Sequence, residues 1–254
     1  MFAESTAHAV SASICMATFN GEKYLQEQLG SILAQLHDGD ELLIVDDASS
    51  DRTLQILSAI DDPRVVVVQN SENLGYVRTF ERAMNLATRD VLLLSDQDDV
   101  WVEGRRDELV QAAKHSAVVA SNLLLLGTRQ PLPSPLTGHP WLLSHDDRRF
   151  LLNELLMLIG NAPYFGCAMA VRRDALDLIL PFPPYLNESH DLWIATVGNA
   201  SRAMRHVHKP SILRRIHDDN TSPSRPRGVA KALRSRFLLL RLWREARARV
   251  RHSS

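Results

Sequence analysis

Cysteine is scarce in this chain of 254 residues, which has only Cys15 and Cys167. Both lie in apolar surroundings, and their number and spacing fit neither a zinc site nor a disulfide framework. We therefore expect two buried thiols in a reducing compartment. The first ten residues lack a cationic start and a long apolar stretch, so we expect no signal peptide.

The chain also lacks an apolar run of about 20 residues, the length that crosses a bilayer. Its longest apolar run, LLNELLMLIG, is interrupted by Asn153 and Glu154. A glycine-rich phosphate loop of the Walker or dinucleotide type is missing as well. We expect a cytoplasmic protein in which a metal ion and basic side chains handle any phosphate group.

Acidic residues almost disappear from the C-terminal end, although the whole chain has a net charge of only -1. From residue 225 onward Glu245 stands against ten Lys and Arg residues. Apolar residues recur there every three or four positions, at Val229, Ala232, Leu233, Phe237, Leu240 and Trp243. This pattern predicts a basic amphipathic helix that contacts the inner face of the cytoplasmic membrane. Packing on the body or on a second subunit is the alternative, and no recognised module supports nucleic-acid binding.

The first hundred residues alternate short apolar runs with segments of helical spacing. The apolar runs are SASICMATF, ELLIVDD, RVVVVQN and DVLLLSD. Such alternation predicts a parallel sheet covered on both faces by helices, with the ligand beyond the carboxyl ends of the strands. All four runs end in polar, glycine-containing or acidic loops. Residues 203–217 predict a final pair of strands, and a Ser/Pro/Arg-rich linker follows.

Three acids, Asp96, Asp98 and Asp99, follow the apolar run Leu92–Leu94 without a nearby Lys or Arg. One interpretation is a helix start, with Ser95 as the cap and acids favoured by the helix dipole. The other is a ligand site, because Asp-x-Asp at this edge can hold a hard divalent cation that bridges a diphosphate. The position at a strand end favours the ligand site.

A second acidic pair, Asp46 and Asp47, ends the second apolar run. A helix cap at Ser50 or Asp51 explains the following residues but leaves this pair without a structural role. Carboxylates there suit hydrogen bonds to a base N–H or a ribose hydroxyl. Arg78 is a candidate for contact with phosphate, or alternatively a solvated helix charge.

Six segments, in order and spacing, resemble glycosyltransferase family 2, and most closely its bacterial rhamnosyltransferase-like members, which build surface polysaccharides. The segments are ICMATFNGEKYLQEQLGSIL, LLIVDDASSDRT, NLGYVRTFERAMNLATRDVLLLSDQDDVW, GCAMAVRR, HDLWIA and RIHDDNTSP. The resemblance covers roughly residues 10–222. It implies a GT-A-type nucleotide-sugar-binding α/β fold, with a mostly parallel central sheet flanked by helices. We therefore divide the chain into a glycosyltransferase domain, residues 1–222, and a linker with the basic helical tail, residues 223–254.

The resemblance also implies roles for residues at the strand ends. Thr18 and Asn20 fall near the nucleotide, and Asp46 and Asp47 match the acids that contact the base and ribose.

In the same resemblance, Asp96 lies towards the ribose, and Asp98 and Asp99 lie nearest the metal, Mg²⁺ or Mn²⁺. His217 matches a histidine that completes the metal or diphosphate site, an ordinary surface histidine being the alternative.

Asp191 aligns with the catalytic base of the family, and a helix cap is its alternative. Many members have Glu before this base, where this chain has His190. Gly166 is a candidate for close approach of the backbone to the sugar, or simply a glycine at a strand start.

The predicted activity is inverting, metal-dependent transfer of a hexose, with rhamnose the first choice. The donor is a dTDP- or UDP-linked sugar. The acceptor is a saccharide or lipid-linked saccharide in surface polysaccharide or lipopolysaccharide synthesis. Two alternatives are a phosphohydrolase with an Asp-x-Asp site and a catalytically inactive membrane-associated scaffold.

Overall fold

A computed structural model describes residues 10–217 and 229–253, with side chains omitted for residues 229–232. The strands in these ranges are β1 (Ala12–Thr18), β2 (Glu41–Asp46), β3 (Val65–Gln69), β4 (Val91–Ser95), β5 (Val100–Trp101), β6 (Val118–Leu125), β7 (Met169–Arg172) and β8 (Met204–Arg214). The helices are α1 (Leu25–Leu33), α2 (Thr53–Ser58), α3 (Tyr76–Leu86), α4 (Arg105–Ala113), α5 (Phe150–Ile159), α6 (Leu176–Ile179), α7 (His190–Ala200) and α8 (Val229–His252). The predicted boundary at residue 222 lies outside the described residues.

The strands form one sheet in the order β3-β2-β1-β4-β7-β6-β8-β5. β1 pairs in parallel with both β2 and β4, and β2 pairs in parallel with β3. β7 runs antiparallel between β4 and β6, whereas β8 is parallel to β6. Thr18 lies opposite Asp46, and Met16 lies opposite Ser95. The carboxyl ends of β1, β2 and β4 therefore share one edge of the sheet.

Separate groups of buried side chains cover the two faces of the sheet. Cys15 packs on one face with Trp193 of α7, and Ile14 packs on the other with Leu29 of α1. Because successive strand residues point to opposite faces, a strand buried on both sides is apolar throughout. The expected two-sided covering is confirmed for β1, β2 and β4. Both cysteines are free and buried, as expected.

The edge strand β3 departs from that expectation. Its Val66 and Val67 side chains are 44% and 39% exposed. β3 lies at the end of the sheet, where helices cover it less completely than the central strands. The prediction that all four apolar runs are buried is wrong for this strand, because an apolar run does not reveal its position in a sheet.

The predicted strand pair at residues 203–217 is also wrong, because β8 is one strand of eleven residues. Pro210 lies opposite Asn122 of β6, where the register of the two strands shifts. An irregular position of this kind tolerates a residue without an N–H group. The proline therefore marks a bulge rather than a turn.

Helix α8 confirms the predicted C-terminal helix, but its apolar residues divide between two sides. Leu242 and Ala246 are fully buried against the body of the protein. Leu233 and Phe237 are exposed. Among the described helices, none combines the length and apolar character needed to cross a membrane.

Candidate active site

Three loops at the carboxyl edge of the sheet are hydrogen-bonded to one another. The Phe19 N–H donates to Gln97 Oε1 at 2.9 Å, and Gln97 Nε2 donates to the Phe19 carbonyl at 3.0 Å. Asn20 Oδ1 accepts from the Ser50 N–H at 2.9 Å. These bonds fix the loops after β1, β2 and β4 relative to one another. The sequence-predicted residues of these loops therefore belong to one edge.

Asp46 is fully buried at the end of β2. Its carboxylate accepts hydrogen bonds from the Ser49 N–H at 2.9 Å, the Ser49 hydroxyl at 2.5 Å and the Thr18 hydroxyl at 3.2 Å. Asp46 thus closes the turn after β2 and ties it to the end of β1. Its predicted contact with a nucleotide stays a prediction, as does that of Thr18.

Asp47 is also buried and accepts three hydrogen bonds from the protein. The donors are Asn70 Nδ2 at 2.7 Å, the Leu74 N–H at 2.8 Å and the Gly75 N–H at 2.9 Å. Asp47 therefore anchors the loop that leads from β3 into α3. The expectation that Asp46 and Asp47 have no structural role is wrong. Ser49 is a local partner of Asp46 that the sequence analysis overlooked, whereas the donors to Asp47 lie 23 to 28 residues later, too far for a local pattern to reveal them.

The segment after β4 does not begin a helix. It turns through Asp96–Asp99 and continues into the two-residue strand β5. Ser95 Oγ accepts from Gln28 Nε2 at 2.8 Å and from Trp101 Nε1 at 3.2 Å, and so joins the turn to α1. The helix-cap interpretation of Ser95 is therefore wrong.

The acids after β4 are crowded and poorly compensated. Burial, and next the charges of Asp99 and Asp98, raise the pKa of Asp96 well above its usual range. Burial, and next the charge of Asp98, raise the pKa of Asp99 to about 6. Asp99 Oδ2 is buried and has no hydrogen-bond partner among the described residues. These features indicate a place that a positive charge would stabilise.

His217 lies at this cluster rather than on an open surface, so its interpretation as an ordinary surface histidine is wrong. Its Nε2 is 2.7 Å from Asp98 Oδ2, and its ring lies 4.9 Å from that of Tyr24. The neighbouring Arg215 donates through its N–H to Asp99 Oδ1 at 3.0 Å and through Nε to the Asp98 carbonyl at 3.0 Å. The end of β8 thereby fixes the positions of both acids.

The residues present fit a hard divalent cation. Ligand atoms of Asp96, Asp99 and Cys167 lie within 4.8 Å of one another. Burial raises the pKa of the Cys167 thiol and so disfavours the thiolate that would bind a softer metal. The available ligands are therefore carboxylate oxygens, with His217 beside them, as Mg²⁺ or Mn²⁺ prefers. The metal role of Asp98, Asp99 and His217 stays a prediction.

Two arginines near the cluster were missed by the sequence analysis. The fully buried Arg105 donates to the Leu94 carbonyl at 3.0 Å and the Cys167 carbonyl at 2.7 Å. The charge of Arg214 acts to lower the pKa values of Asp96, Asp99 and Asp191, although burial dominates at all three. Adjacency to the RIH segment was a signal for Arg214, whereas Arg105 resembled an ordinary helix charge.

Asp191 lies in the first turn of α7, close enough to the acidic cluster to contribute to the raised pKa of Asp96. Burial raises the pKa of Asp191 itself to about 6. Its Oδ1 accepts from the Leu192 N–H at 2.8 Å. A recessed carboxylate with this pKa can accept a proton near neutral pH. Its role as the base stays a prediction.

Gly166 is required by the close approach of His190. A Cβ atom added at Gly166 would lie 2.8 Å from His190 Nε2 and 3.7 Å from Asp191 Cβ. The His190 ring stacks on Phe80 at 4.5 Å, and burial lowers its pKa to about 4. His190 is therefore a neutral side chain beside the site. The missing side chain of Gly166 allows the His190 ring to pack against the turn before β7.

Arg78 makes hydrogen bonds within the protein, whereas the sequence analysis predicted contact with phosphate. Its guanidinium donates to Glu81 at 2.7 Å and to the Pro183 carbonyl at 3.0 Å, with a further bond to the Leu186 carbonyl at 3.3 Å. These bonds hold the segment that leads to α7. Its contact with phosphate stays a prediction that the observed bonds do not favour.

Sequence comparison connects this geometry to known proteins. A sequence model described as Glycosyl transferase family 2 matches residues 13–179, which run from β1 to α6. The chain belongs to glycosyl transferase family 2. This membership confirms the family named from the sequence motifs.

Two family relatives illustrate the range of similarity. An uncharacterized glycosyltransferase of Nostoc is 28% identical over 179 residues, covering 68% of this chain and 54% of the relative. The dTDP-rhamnosyl transferase RfbG of Shigella flexneri is 35% identical over 97 residues, covering 35% of this chain and 34% of the relative. The chain thus spans about half the length of the Nostoc relative.

The fold matches that of a solved structure from S. aureus. The crystal structure of S. aureus TarS 1-349 with UDP-GlcNAc has a TM-score of 0.69 and 21% sequence identity, covering 92% of this chain and 66% of that chain. At this identity the similarity concerns the fold. It confirms the predicted α/β architecture.

Proposed function

We propose that the chain is an inverting, metal-dependent glycosyltransferase that moves a hexose from a nucleoside diphosphate sugar to a saccharide acceptor. The observation that carries the proposal is that Asp191 lies close enough to the crowded acids after β4 for its charge to act on Asp96. Family membership supports the reaction class. The phosphohydrolase and inactive-scaffold alternatives become outcomes of the test.

The proposed donor is a pyrimidine nucleoside diphosphate sugar. RfbG is named for dTDP-rhamnose chemistry, and TarS was crystallised with UDP-GlcNAc. Rhamnose is our first choice for the sugar, because the sequence motifs resemble those of rhamnosyltransferases. Thr18, Asn20, Asp46 and Asp47 are proposed to line the nucleotide side, with Asp96 towards the ribose.

The proposed metal ligands are Asp98, Asp99 and His217. A bound Mg²⁺ or Mn²⁺ would neutralise charge that develops on the leaving nucleoside diphosphate. Arg215, hydrogen-bonded to both acids, keeps their carboxylates and backbone in place. Arg105 supports the same turn from below through the Leu94 carbonyl.

Asp191 is proposed to accept the proton of the acceptor hydroxyl. The hydroxyl oxygen forms a bond to the anomeric carbon as the bond from that carbon to the diphosphate oxygen breaks. The electron pair of the broken bond leaves with the nucleoside diphosphate, and the configuration at the anomeric carbon inverts. The Leu192 N–H group orients the carboxylate for this transfer.

The proposed acceptor is a growing, lipid-linked saccharide of a surface polysaccharide. We accordingly propose that the protein works in the cytoplasm at the inner face of the membrane, with α8 as the contact. The exposed apolar residues of α8 support this placement.

The experiment compares wild type with Asp191→Asn, using UDP- and dTDP-sugars, Mn²⁺ or Mg²⁺, and saccharide acceptors. We expect transfer to fall about 10²–10⁴-fold, the usual contribution of a general base. Nucleotide affinity, measured by calorimetry, should be retained. Asp177→Asn, at an exposed position on α6, is the control and should leave both quantities unchanged.

Three outcomes contradict the proposal. Loss of nucleotide affinity in Asp191→Asn would remove this residue from the base role. Release of inorganic phosphate without sugar transfer would favour a phosphohydrolase. Absence of both nucleotide binding and transfer in wild type would favour a scaffold.

A further inference from the structure

The outer side of α5 and α8 carries a concentration of exposed apolar side chains. On α5, Leu151 is 69% and Leu155 is 53% exposed, and on α8 Leu233 and Phe237 are 66% and 71% exposed. We call the full set the two-helix face: Leu151, Leu152, Leu155, Ile159, Leu233, Phe237, Leu240 and Trp243. Contiguous apolar surface of this kind marks an interaction site more often than isolated exposed leucines do.

The two helices form one continuous surface because polar bonds lock them together. Trp243 Nε1 and the Arg247 guanidinium both donate to Glu154 Oε2, at 2.8 and 2.9 Å. Arg236 donates to the Ile159 carbonyl at 2.8 Å, across the C-terminal end of α5. Between the helices lies a mainly apolar groove of about 250 Å³, lined by Leu155 and Leu240 among others. α5 is therefore part of the same face as α8, although it lies about 80 residues earlier.

Among the described side chains of α8, the exposed formal charges beside the two-helix face are all positive. Exposed arginines flank its apolar residues on α8, at positions Arg234, Arg241, Arg244 and Arg251. The acids within α5 and α8 are Glu154 and Glu245, and both are ion-paired, with Arg247 and Arg249 respectively. The face thus combines an apolar centre with positive charge at its margin.

We propose that the two-helix face docks on an anionic lipid bilayer, with α5 and α8 both lying in the interfacial plane. Leu, Phe and Trp insert among acyl chains, while the arginines reach anionic headgroups through their long side chains. A second copy of the chain fits less well, because a symmetric contact would bring arginine-rich margins together. The proposal extends the membrane contact predicted for α8 to a second helix and does not depend on catalysis.

The experiment measures co-sedimentation of the full chain with phosphatidylcholine vesicles, with or without 30% phosphatidylglycerol (about one anionic lipid in three, a strongly charged surface). We expect binding to the anionic vesicles, weakened by salt. Leu151→Ser/Leu155→Ser on α5 and Phe237→Ser/Leu240→Ser on α8 should each lower the partition coefficient at least about tenfold, because each removes two apolar anchors. Leu136→Ser, at a 59% exposed leucine outside the face, is the matched control and should bind like wild type.

Nucleotide affinity should stay unchanged in all the variants. Thermal unfolding checks that each variant remains folded, because Leu155 and Leu240 are about half exposed and line the groove between the helices. The proposal would be overturned if the wild-type chain does not bind anionic vesicles, or if the α5 variant binds them as strongly as wild type. Concentration-dependent dimerisation abolished by the same α5 and α8 variants, without vesicle binding, would assign the face to a second copy. Because the readout is partitioning, failure here leaves the proposed transfer reaction standing, and failure of transfer leaves this result standing.

Discussion

The acids after β2 and the acids after β4 occupy equivalent places on the same edge of the sheet, yet their surroundings differ. Asp47 accepts three hydrogen bonds from the protein, including two main-chain N–H groups. Asp99 has one oxygen without a partner among the described residues and a pKa raised to about 6, first by burial and then by Asp98. The acids after β2 have hydrogen-bond donors within the protein, whereas the crowding of the acids after β4 costs folding free energy.

This difference separates two uses of the same residue type. A carboxylate supplied with N–H donors stabilises the loop around it, because its hydrogen bonds hold the donors in place. Carboxylates crowded without sufficient donors or cations destabilise the protein until a proton or cation arrives. Position at a strand end is common to both, so the hydrogen-bond donors decide which acids are structural.

The largest expected effect concerns the acids after β4. Asp98→Asn should lower transfer about a thousandfold, or about 4 kcal/mol, because it removes the charge beside His217 that the proposed cation requires. The measurement is kcat/KM with saturating Mn²⁺. Asp61→Asn, at an exposed acid before β3, is the control, and equal activity in both variants would remove Asp98 from the metal site.

A change after β2 should act on stability instead. Asp47→Ala removes a carboxylate that accepts three hydrogen bonds, and we expect the free energy of unfolding to fall by about 3 kcal/mol. Urea denaturation followed by circular dichroism measures the loss. Asp61→Ala should change stability by less than about 0.5 kcal/mol, and a similarly small change for Asp47→Ala would erase the contrast between the two sets.

For the acids after β4 we expect a substitution to raise the stability of the protein rather than lower it. Asp99→Asn should raise the metal-free stability by about 2 kcal/mol at pH 8, because a pKa raised to about 6 means that the fold disfavours the charged carboxylate. The folded protein binds a proton there that the unfolded chain releases above its ordinary pKa. The difference between variant and wild type should therefore shrink as pH falls from 7 towards 4. If the stability difference between Asp99→Asn and wild type grows as the pH falls from 7 to 4, the charged form of Asp99 is not the destabilising one.

The smallest effect is a pH dependence of the reaction. The proposed base role requires deprotonated Asp191, and burial raises its pKa to about 6. We expect kcat to be level above that pH and to fall about tenfold per unit well below it. Nucleotide affinity measured at each pH separates this loss from protonation at Asp99. A kcat that stays level down to pH 4.5 would exclude Asp191 as the base.

The parallel half of the sheet could be predicted because the pattern of each strand lies within a few consecutive residues. Each of β1, β2 and β4 is an apolar run bounded by polar residues, and helical spacing lies between them. β8 could not be predicted as one strand, since Pro210 signals a break until the shifted register with Asn122 is known. The antiparallel insertion of β7 between β4 and β6 likewise depends on contacts far apart in the chain.

The acidic residues of the site could be named from sequence, but their environments could not. Partners of Asp47 come from residues 23 to 28 positions later, in segments with no marked pattern. Arg105 is one of two adjacent arginines in α4, and only the structure distinguishes it as fully buried beneath the β4 turn. The division of the apolar residues of α8 into a buried and an exposed side also required its packing partner.

The unsatisfied oxygen of Asp99 has a practical consequence for anyone who handles the protein. A ligand that binds only the folded state adds stability in proportion to the logarithm of its concentration. We therefore expect preparations treated with a chelator to melt at lower temperature than those stored with magnesium. The concentration of divalent cation in the storage buffer would then determine how long the protein stays folded.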